Sequence, residues 1–541
     1  MKNFFQKHLI TICFFLIIIT SFLLMITSAK QDSLTVDEEV HITAGYLHTW
    51  VGNYTFNSEH PPLLNDLAGL FAKIARPDLP EAKLSQFDAG DQWTYGDLFF
   101  YSSGNDVDAI IFWARLPFIF LTLGLIYLSF IWAKTVFGPK AGLMAATLVG
   151  FCPNILAHGR LATTDIGLAF FFVLTIWLLR KYILKPNNLN AILLGMSLGL
   201  VVLAKFSGIF ILPVIIIGLI YSGFQKNSKI SKTLGQFILI FIIAFILCWL
   251  VYAFSMRSEM GNLLTNNWVL APINKFLQGY EILANHNKVG HWNYLNGQVN
   301  YSGWWYYFPL TLWYKLTVPA LLLVAMSLIF IRKNKLFEIL LIVLPLVLFL
   351  GISLTSRIDI GIRHILPVVV LLFILVSYLA ETKIFILKPI VLGLVILHIL
   401  AGFLAYPNFI SYFNQIAGGE SGGINHLDDS NLDWNQNIKR FAKYAKVQNL
   451  GKVYEYCWNQ NAFSYYGVET EFLPTAPVNG VVVVCAHQLK LYKDYGYDIS
   501  WVLNPPTGGP PDDIIAQTIY IWRFDLPDSA SHWQAGKKNI Q

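Results

Sequence analysis

The feature that most limits this chain is a series of apolar runs, most of them long enough to cross a lipid bilayer. They lie near residues 9–28, 110–135, 140–157, 164–180, 189–203, 207–223, 234–255, 308–331, 336–354, 365–380 and 384–405. A hydrocarbon layer about 30 Å thick needs roughly 20 apolar residues in a helix. Inside it every backbone polar group must find a partner within the protein, so runs of this kind fold as helices. Composition agrees: of 541 residues, 55% are hydrophobic and 13% charged, where soluble domains carry about 25% charged residues. The expected fold is an all-α polytopic membrane protein with about 11 spans. The fifth run is short, and only the tight break "AKFSG" parts it from the sixth.

The loops between runs alternate in charge. "MKNFFQKH", "AKTVFGPK", "RKYILKP", "FQKNSKISK", "RKNK" and "ETK" fall on one side and hold most of the loop Lys and Arg. The positive-inside rule makes that side cytoplasmic, with the N-terminus there and the C-terminus outside. The first run is read as a retained helix, because "TSAKQDS" is a poor cleavage signal. A net charge of +6 with no long basic run excludes a nucleic-acid partner.

Residues 1–405 then form a membrane-embedded domain with outer loops at 29–109 and 256–307. Residues 406–541 form a small extracytoplasmic α/β domain. In it "NIKRFAKYAKV" has the spacing of an amphipathic helix, and "KVYEYCW", "GVVVVCA" and "TIYIWRF" read as strands. Cys457 and Cys485 lie there and could pair; Cys13, Cys152 and Cys248 sit in apolar runs.

The first outer loop concentrates chemistry. "TVDEEVHITAGYLHTWVGNYTFNSEHPPL" (35–63) places four carboxylates and three histidines directly after a span. Val40, Ala44, Leu47 and Val51 recur at helical spacing, so a helix on the membrane surface is expected. Asp37 stands where that helix would be capped and shares a face with His41. Pro61 and Pro62 open a second short helix and hold Glu59 and His60 ahead of it. A plain helix entry with a solvated acidic face would explain the same residues. His41 and His48 have only helix position to recommend them.

An Asp-Glu pair just after the first span, followed by an acidic residue before Pro-Pro-Leu, resembles the C-type integral-membrane glycosyltransferases. The nearest branch is glycosyltransferase family 39, the protein O-mannosyltransferases and aminoarabinose transferases. Further stretches resemble it in the same order: "PNILAHGRLATTDIGLAFFF" (153–172), "GHWNYLNG" with "GWWYYFPLTLWYKLTVP" (290–319), "RIDIGIRHILP" (357–367) and "YPNFISYFNQIAGGESGGINHLDDSNLDWNQNIKRF" (406–441).

The resemblance implies transfer of a sugar from a polyprenyl-phosphate donor to a protein or glycolipid acceptor at the outer face of a bacterial plasma membrane. It favours Asp37 as general base, with Glu38 as a supporting carboxylate or its exchange partner. Arg363, His364 and Arg357 are then expected on the donor phosphate, where donors must meet the growing charge of the leaving group. For Arg363 the competing explanation is snorkelling to headgroups. Arg160, Asp165 and Lys205 sit at outer helix ends, and an Arg160–Asp165 pair locking two helices would explain the first two. Glu59, His60, His291 and Asp37 could ligate a divalent metal, which is left open because no His-x-x-x-His pair is present.

The chain departs from the pattern twice. His60 replaces the lysine that aminoarabinose transferases carry before Pro-Pro, and Asn435 stands where bacterial relatives have glycine. Trp304, Trp305, Tyr306 and Tyr307 read first as an interfacial belt and second as a sugar or prenyl platform. "DSNLDWNQN" either closes over the site or starts a helix at 434–446 with Asp433 as its cap, the simpler reading. A transporter or flippase for a lipid-linked sugar is the alternative class. It calls for repeats and polar breaks near the bilayer midplane, whereas the polar residues here cluster at helix ends.

Overall fold

The structure is a computed structural model and describes residues 2–224, 230–260, 268–330, 335–504 and 508–525. Among these, eight helices are long and apolar enough to cross a membrane. They coincide with eight of the eleven expected runs, and the other three depart for local reasons. The 140–157 run breaks into Pro139–Gly150 and Pro153–His158, because a residue before proline is pushed out of the helical region. The 189–203 run forms Asn188–Ala204, only 17 residues. The 308–331 run bends by 118° between Tyr307–Lys315 and Val318–Ile329, and counting that pair as one span gives up to nine. The expected loops "FQKNSKISK" and "RKNK" lie largely outside the described residues.

Two spans are enclosed by the rest. In Thr164–Leu184 and Ile362–Glu381, 78% and 83% of the apolar window is buried, against 17% in both Lys232–Ser255 and Leu387–Leu404. The enclosed pair begins with Asp165 and Arg363 near the two N-termini, so the best-packed helices deliver charged residues to one end of the bundle.

Helix α1 (Lys2–Ala29) leads through a short turn into α2 (Val36–Tyr46), which continues in the π-helical turn Leu47–Val51. Helix α3 (Pro62–Ala72) starts at the two prolines as expected. The pair crosses at Gly45 and Gly69. A Cβ on Gly45 would lie 1.7 Å from the Asn65 carbonyl oxygen, and one on Gly69 would lie 2.0 Å from the Gly45 carbonyl carbon. Only glycine permits this approach, and it sets the Asp37–His41 face of α2 against the chain around His60. Helix α4 (Gln92–Asp97) packs on the opposite side of α2.

Beyond the last span the chain folds back onto α2. Ser33 N–H donates to the Gln436 carbonyl (3.0 Å) and Val36 N–H to the Trp434 carbonyl (3.1 Å). Helix α5 (Ile438–Val447) then packs on a five-stranded sheet. The strands are β3 (Val453–Tyr456), β4 (Thr470–Phe472), β5 (Gly480–Cys485), β6 (Asp513–Ile515) and β7 (Ile519–Phe524), in the order β4-β3-β5-β7-β6. The hairpin β1–β2 (Asn293–Leu295 and Gln298–Asn300) stands apart from it. The β3–β4 and β3–β5 pairings are parallel; β7 runs antiparallel to β5 and β6. Each of the three expected strands and the expected amphipathic helix is present. A Cys457–Cys485 disulfide ties the end of β5 to the residue after β3.

Candidate active site

The sequence around α2 decides the site. The cap of α2 is Thr35 rather than Asp37, because Glu38, three residues on, accepts from both the backbone N–H (3.1 Å) and the hydroxyl (2.9 Å) of Thr35. Asp37 is thereby freed from capping. Its Oδ2 accepts from Arg363 Nη1 at 2.6 Å, and its side chain keeps 26% exposure. Arg363 is itself enclosed. Its Nη1 lies 3.7 Å from Asp165 Oδ2, its guanidinium stacks 4.2 Å over the Trp434 ring, and its Nε is buried with no hydrogen-bond partner among the described residues. Lys205 Nζ donates to Asp165 Oδ1 at 2.6 Å. Asp37, Arg363, Asp165 and Lys205 thus form one run of alternating charges.

Beside that run lies a cavity of about 300 Å³. Lys205, His60 and His364 line it together with Phe206, Phe210 and Phe349. It therefore joins cationic and imidazole groups to an apolar wall at the end of the bundle. His60 Nδ1 is buried without a partner, and its ring meets His41 edge-on at 4.9 Å. Burial, together with His41 and Lys205, holds the His60 imidazolium well below the usual histidine range. His60 is therefore a neutral lining group at physiological pH. Burial also lowers His41, with Asp37 pulling the other way, and its Nδ1 lies 2.8 Å from Asn65 Oδ1. Sequence reasoning set His41 aside, yet it borders the site; the signal was its four-residue spacing from Asp37.

The remaining expected residues lie elsewhere. Glu38 is completely buried: Arg115 donates to it through Nε (2.8 Å) and Nη2 (2.6 Å), and Ala162 N–H adds 2.8 Å. Burial pushes its carboxyl up, but Arg115 more than offsets this and holds it below the ordinary glutamate value. With its oxygens taken, Glu38 does not exchange roles with Asp37. Arg115 was missed in the sequence, although a lone arginine inside a span is a standing flag.

Arg160 does not pair with Asp165. Its Nη1 lies 2.5 Å from Asp32 Oδ2, and Arg440 holds the other Asp32 oxygen at 2.8 Å. Arg357 is exposed and donates to the Lys288 carbonyl at 2.9 Å, so it closes a helix end rather than reaching the cavity. Glu59 accepts from Gln92 Nε2 (2.9 Å), and His291 Nδ1 faces His286 Nε2 (3.3 Å). Asp37, Glu59, His60 and His291 therefore do not converge, and no group of three His, Cys, Asp or Glu among the described residues could hold a metal ion.

The segment expected to cap a helix does something else. The helix starts at Ile438, after Asn437. Asp433 is buried and accepts from the backbone N–H groups of Asn435 and His487, both at 3.2 Å. Burial pushes its carboxyl up to about 7. The turn survives the loss of glycine because Asn435 takes φ of 70°, which asparagine tolerates better than most residues. That turn presents Trp434 to Arg363. In the aromatic cluster, Trp305 is exposed as a belt residue would be, while Tyr307 is buried and accepts from Asn431 Nδ2 at 3.0 Å.

Residues 15–259 match the family described as dolichyl-phosphate-mannose-protein mannosyltransferase. That part of the chain is similar to a membrane glycosyltransferase family. The chain is a multi-pass membrane protein. No curated protein matches the sequence. Three solved structures align with the chain. ArnT from Cupriavidus metallidurans, bound to undecaprenyl phosphate, aligns over 94% of this chain and 97% of its own, with 13% identity and a TM-score of 0.47. The S. cerevisiae Pmt1-Pmt2 protein O-mannosyltransferase, bound to the sugar donor, covers 47% of this chain and 34% of its own, at 15% identity and 0.36. The archaeal oligosaccharyltransferase AglB from Archaeoglobus fulgidus covers 91% and 71%, at 12% identity and 0.46. At these values no residue role is carried from them to this chain.

Proposed function

We propose that the protein transfers a sugar from a polyprenyl-phosphate donor to an acceptor hydroxyl at the outer face of a bacterial plasma membrane, with inversion. The observation that carries this reading is the reachable Asp37 carboxylate, paired to Arg363 beside a cavity that joins charge to an apolar wall. A lipid phosphate is amphiphilic in the same sense. Lys205 and His364 meet the phosphate, and the partnerless Nε of Arg363 supplies a directed donor. The phenylalanines take the first part of the prenyl chain.

In the chemical step the acceptor oxygen bonds to the anomeric carbon as the bond from that carbon to the phosphate oxygen breaks. The electron pair leaves with the phosphate, where the fixed cations stabilise it. The acceptor proton passes to Asp37 Oδ1, since Oδ2 is held by Arg363. One-step attack inverts the anomeric centre. Asp165 orients Lys205 and Arg363 rather than touching substrate. The same reading makes residues 1–405 the membrane-embedded catalytic domain and 406–541 an extracytoplasmic domain, with the N-terminus cytoplasmic. The acceptor is a protein or a glycolipid, and the resemblance points to a hexose or pentose.

The test is mass spectrometry of proteins and glycolipids from cells with and without the gene, repeated with Asp37→Asn. A single sugar mass should vanish in both, with rate losses of about 10²–10⁴ in membranes. Near-normal transfer by correctly inserted Asp37→Asn would refute the base assignment.

A further inference from the structure

A second cavity, of about 550 Å³, lies against the other side of α2, within one helical turn of Asp37. Its walls come from three separate pieces of chain. Glu39 belongs to α2, Trp93 and Asp97 to α4, and Asn435, Trp458 and Asn459 to the region after the last span. Two large aromatic rings stand open at it: Trp93 is 44% exposed and Trp458 is 37% exposed. The Trp458 ring is not loose, because it stacks on the His487 ring with centroids 4.2 Å apart.

The polar groups between the rings are positioned by one another. Asn459 Nδ2 donates to Glu39 Oε2 (3.3 Å) and to Asp97 Oδ1 (3.2 Å). Gly96 lets the Glu39 side chain fit, since a Cβ there would meet Glu39 Oε1 at 3.1 Å. Asn435 is only 5% exposed, yet its Oδ1 has no hydrogen-bond partner among the described residues. A buried acceptor left unpaired is costly, and the residue that carries it lines the cavity. Burial, with Asp97 adding to it, also pushes the Glu39 carboxyl up to about 8, so at neutral pH it offers a proton as well as a lone pair.

No Lys or Arg lines this cavity among the described residues. It does not suit a phosphate, and so differs from the cavity beside Lys205. Flat apolar faces alternating with amide and carboxyl groups match a sugar ring, whose C–H faces lie on aromatic rings while its hydroxyls bond at the edges. We propose that this cavity is a carbohydrate-binding subsite that holds a sugar of the acceptor beside the catalytic turn of α2. The acceptor is then itself a glycan or glycolipid. This rests on the transferase reading above, to which it adds the acceptor class.

The experiment uses the full-length protein in nanodiscs. Saturation-transfer NMR is recorded with a panel of methyl glycosides, and separately with a Ser/Thr-rich peptide. At least one glycoside should receive saturation. Trp458→Ala and Trp93→Ala should each weaken its binding by about tenfold, as removal of an aromatic anchor does. Trp458→Phe, which keeps a stacking face, should retain most of it and guards against a folding defect. Asp37→Asn should lose transfer but bind the glycoside normally. If Asp37→Asn keeps transfer, the base assignment fails while the subsite stands. Absence of glycoside binding, binding unchanged in the Trp variants, or saturation of the peptide alone would overturn the subsite.

Discussion

One cavity nears α2 through His60, whose ring meets His41, the other is walled by Glu39 of α2 itself, and they are built oppositely. One sets Lys205, His60 and His364 beside phenylalanines. The other sets Glu39 and Asp97 between two open tryptophans, with no Lys or Arg lining it among the described residues. Three consecutive acids, Asp37, Glu38 and Glu39, serve three different surroundings because a helix turns about 100° per residue. Asp37 meets Arg363, Glu38 meets Arg115 in the interior, and Glu39 meets Asn459. The same functional group therefore does different work one residue apart, and the partner decides which.

The comparison breaks most sharply at Glu38. Glu38→Gln leaves Arg115 buried and uncompensated, which costs about 3–5 kcal/mol. The expected outcome is a large loss of thermal stability in detergent, measured by tryptophan fluorescence. The protein that remains folded should keep its donor KM. A stable variant with a raised donor KM would return Glu38 to the site.

Next in size is the cation cluster. Arg363→Ala should raise the donor KM by about 10–100-fold, the worth of a charge-assisted hydrogen bond, and leave the acceptor KM within about twofold. Arg363→Lys should recover part of the loss, since the ammonium keeps charge but not the fork. A defect confined to the acceptor KM would break the assignment of the two cavities.

The smallest effect concerns Glu39. Its folded value is raised to about 8 from an ordinary 4.5, so the native state keeps a proton that the unfolded chain releases. The stability this gives is present below pH 4.5, declines as pH rises, and is gone above about 8. Glu39→Gln should therefore raise Tm by a few degrees at pH 8.5 and change it little at pH 4.5, measured by scanning fluorimetry. A gain at low pH instead would reverse the sign and remove the neutral carboxyl from the second cavity.

Much of the architecture was legible because it depends on near neighbours in the chain. Apolar runs, the Pro61-Pro62 helix start and the unbroken β-branched run of "GVVVVCA" each express a local rule. Breaks within the spans were less so. The 118° bend after Lys315 depends on packing, where Lys315 donates to the carbonyls of Ile410, Tyr412 and Asn431 from far along the chain. The site was legible in its residue types but not in its pairings. Arg160 could choose between Asp32 and Asp165, and both lie at suitable helix ends; only the packed bundle gives it Asp32.

The sequence by itself determined a membrane-spanning helical chain with a small sheet after the last span, and a short acidic helix joined to the end of the first span. Hydrophobic length and turn chemistry suffice for that, because both act over a few residues. Tertiary structure alone decided which of three adjacent acids is reachable, which arginine meets it, and that Trp434 and Trp458, some 400 residues away in sequence, stand beside α2. Those outcomes hang on the Gly45–Gly69 crossing and on the fold-back of residues 434–438. They are contacts between distant segments, whose geometry follows from close packing of the whole and from no local pattern.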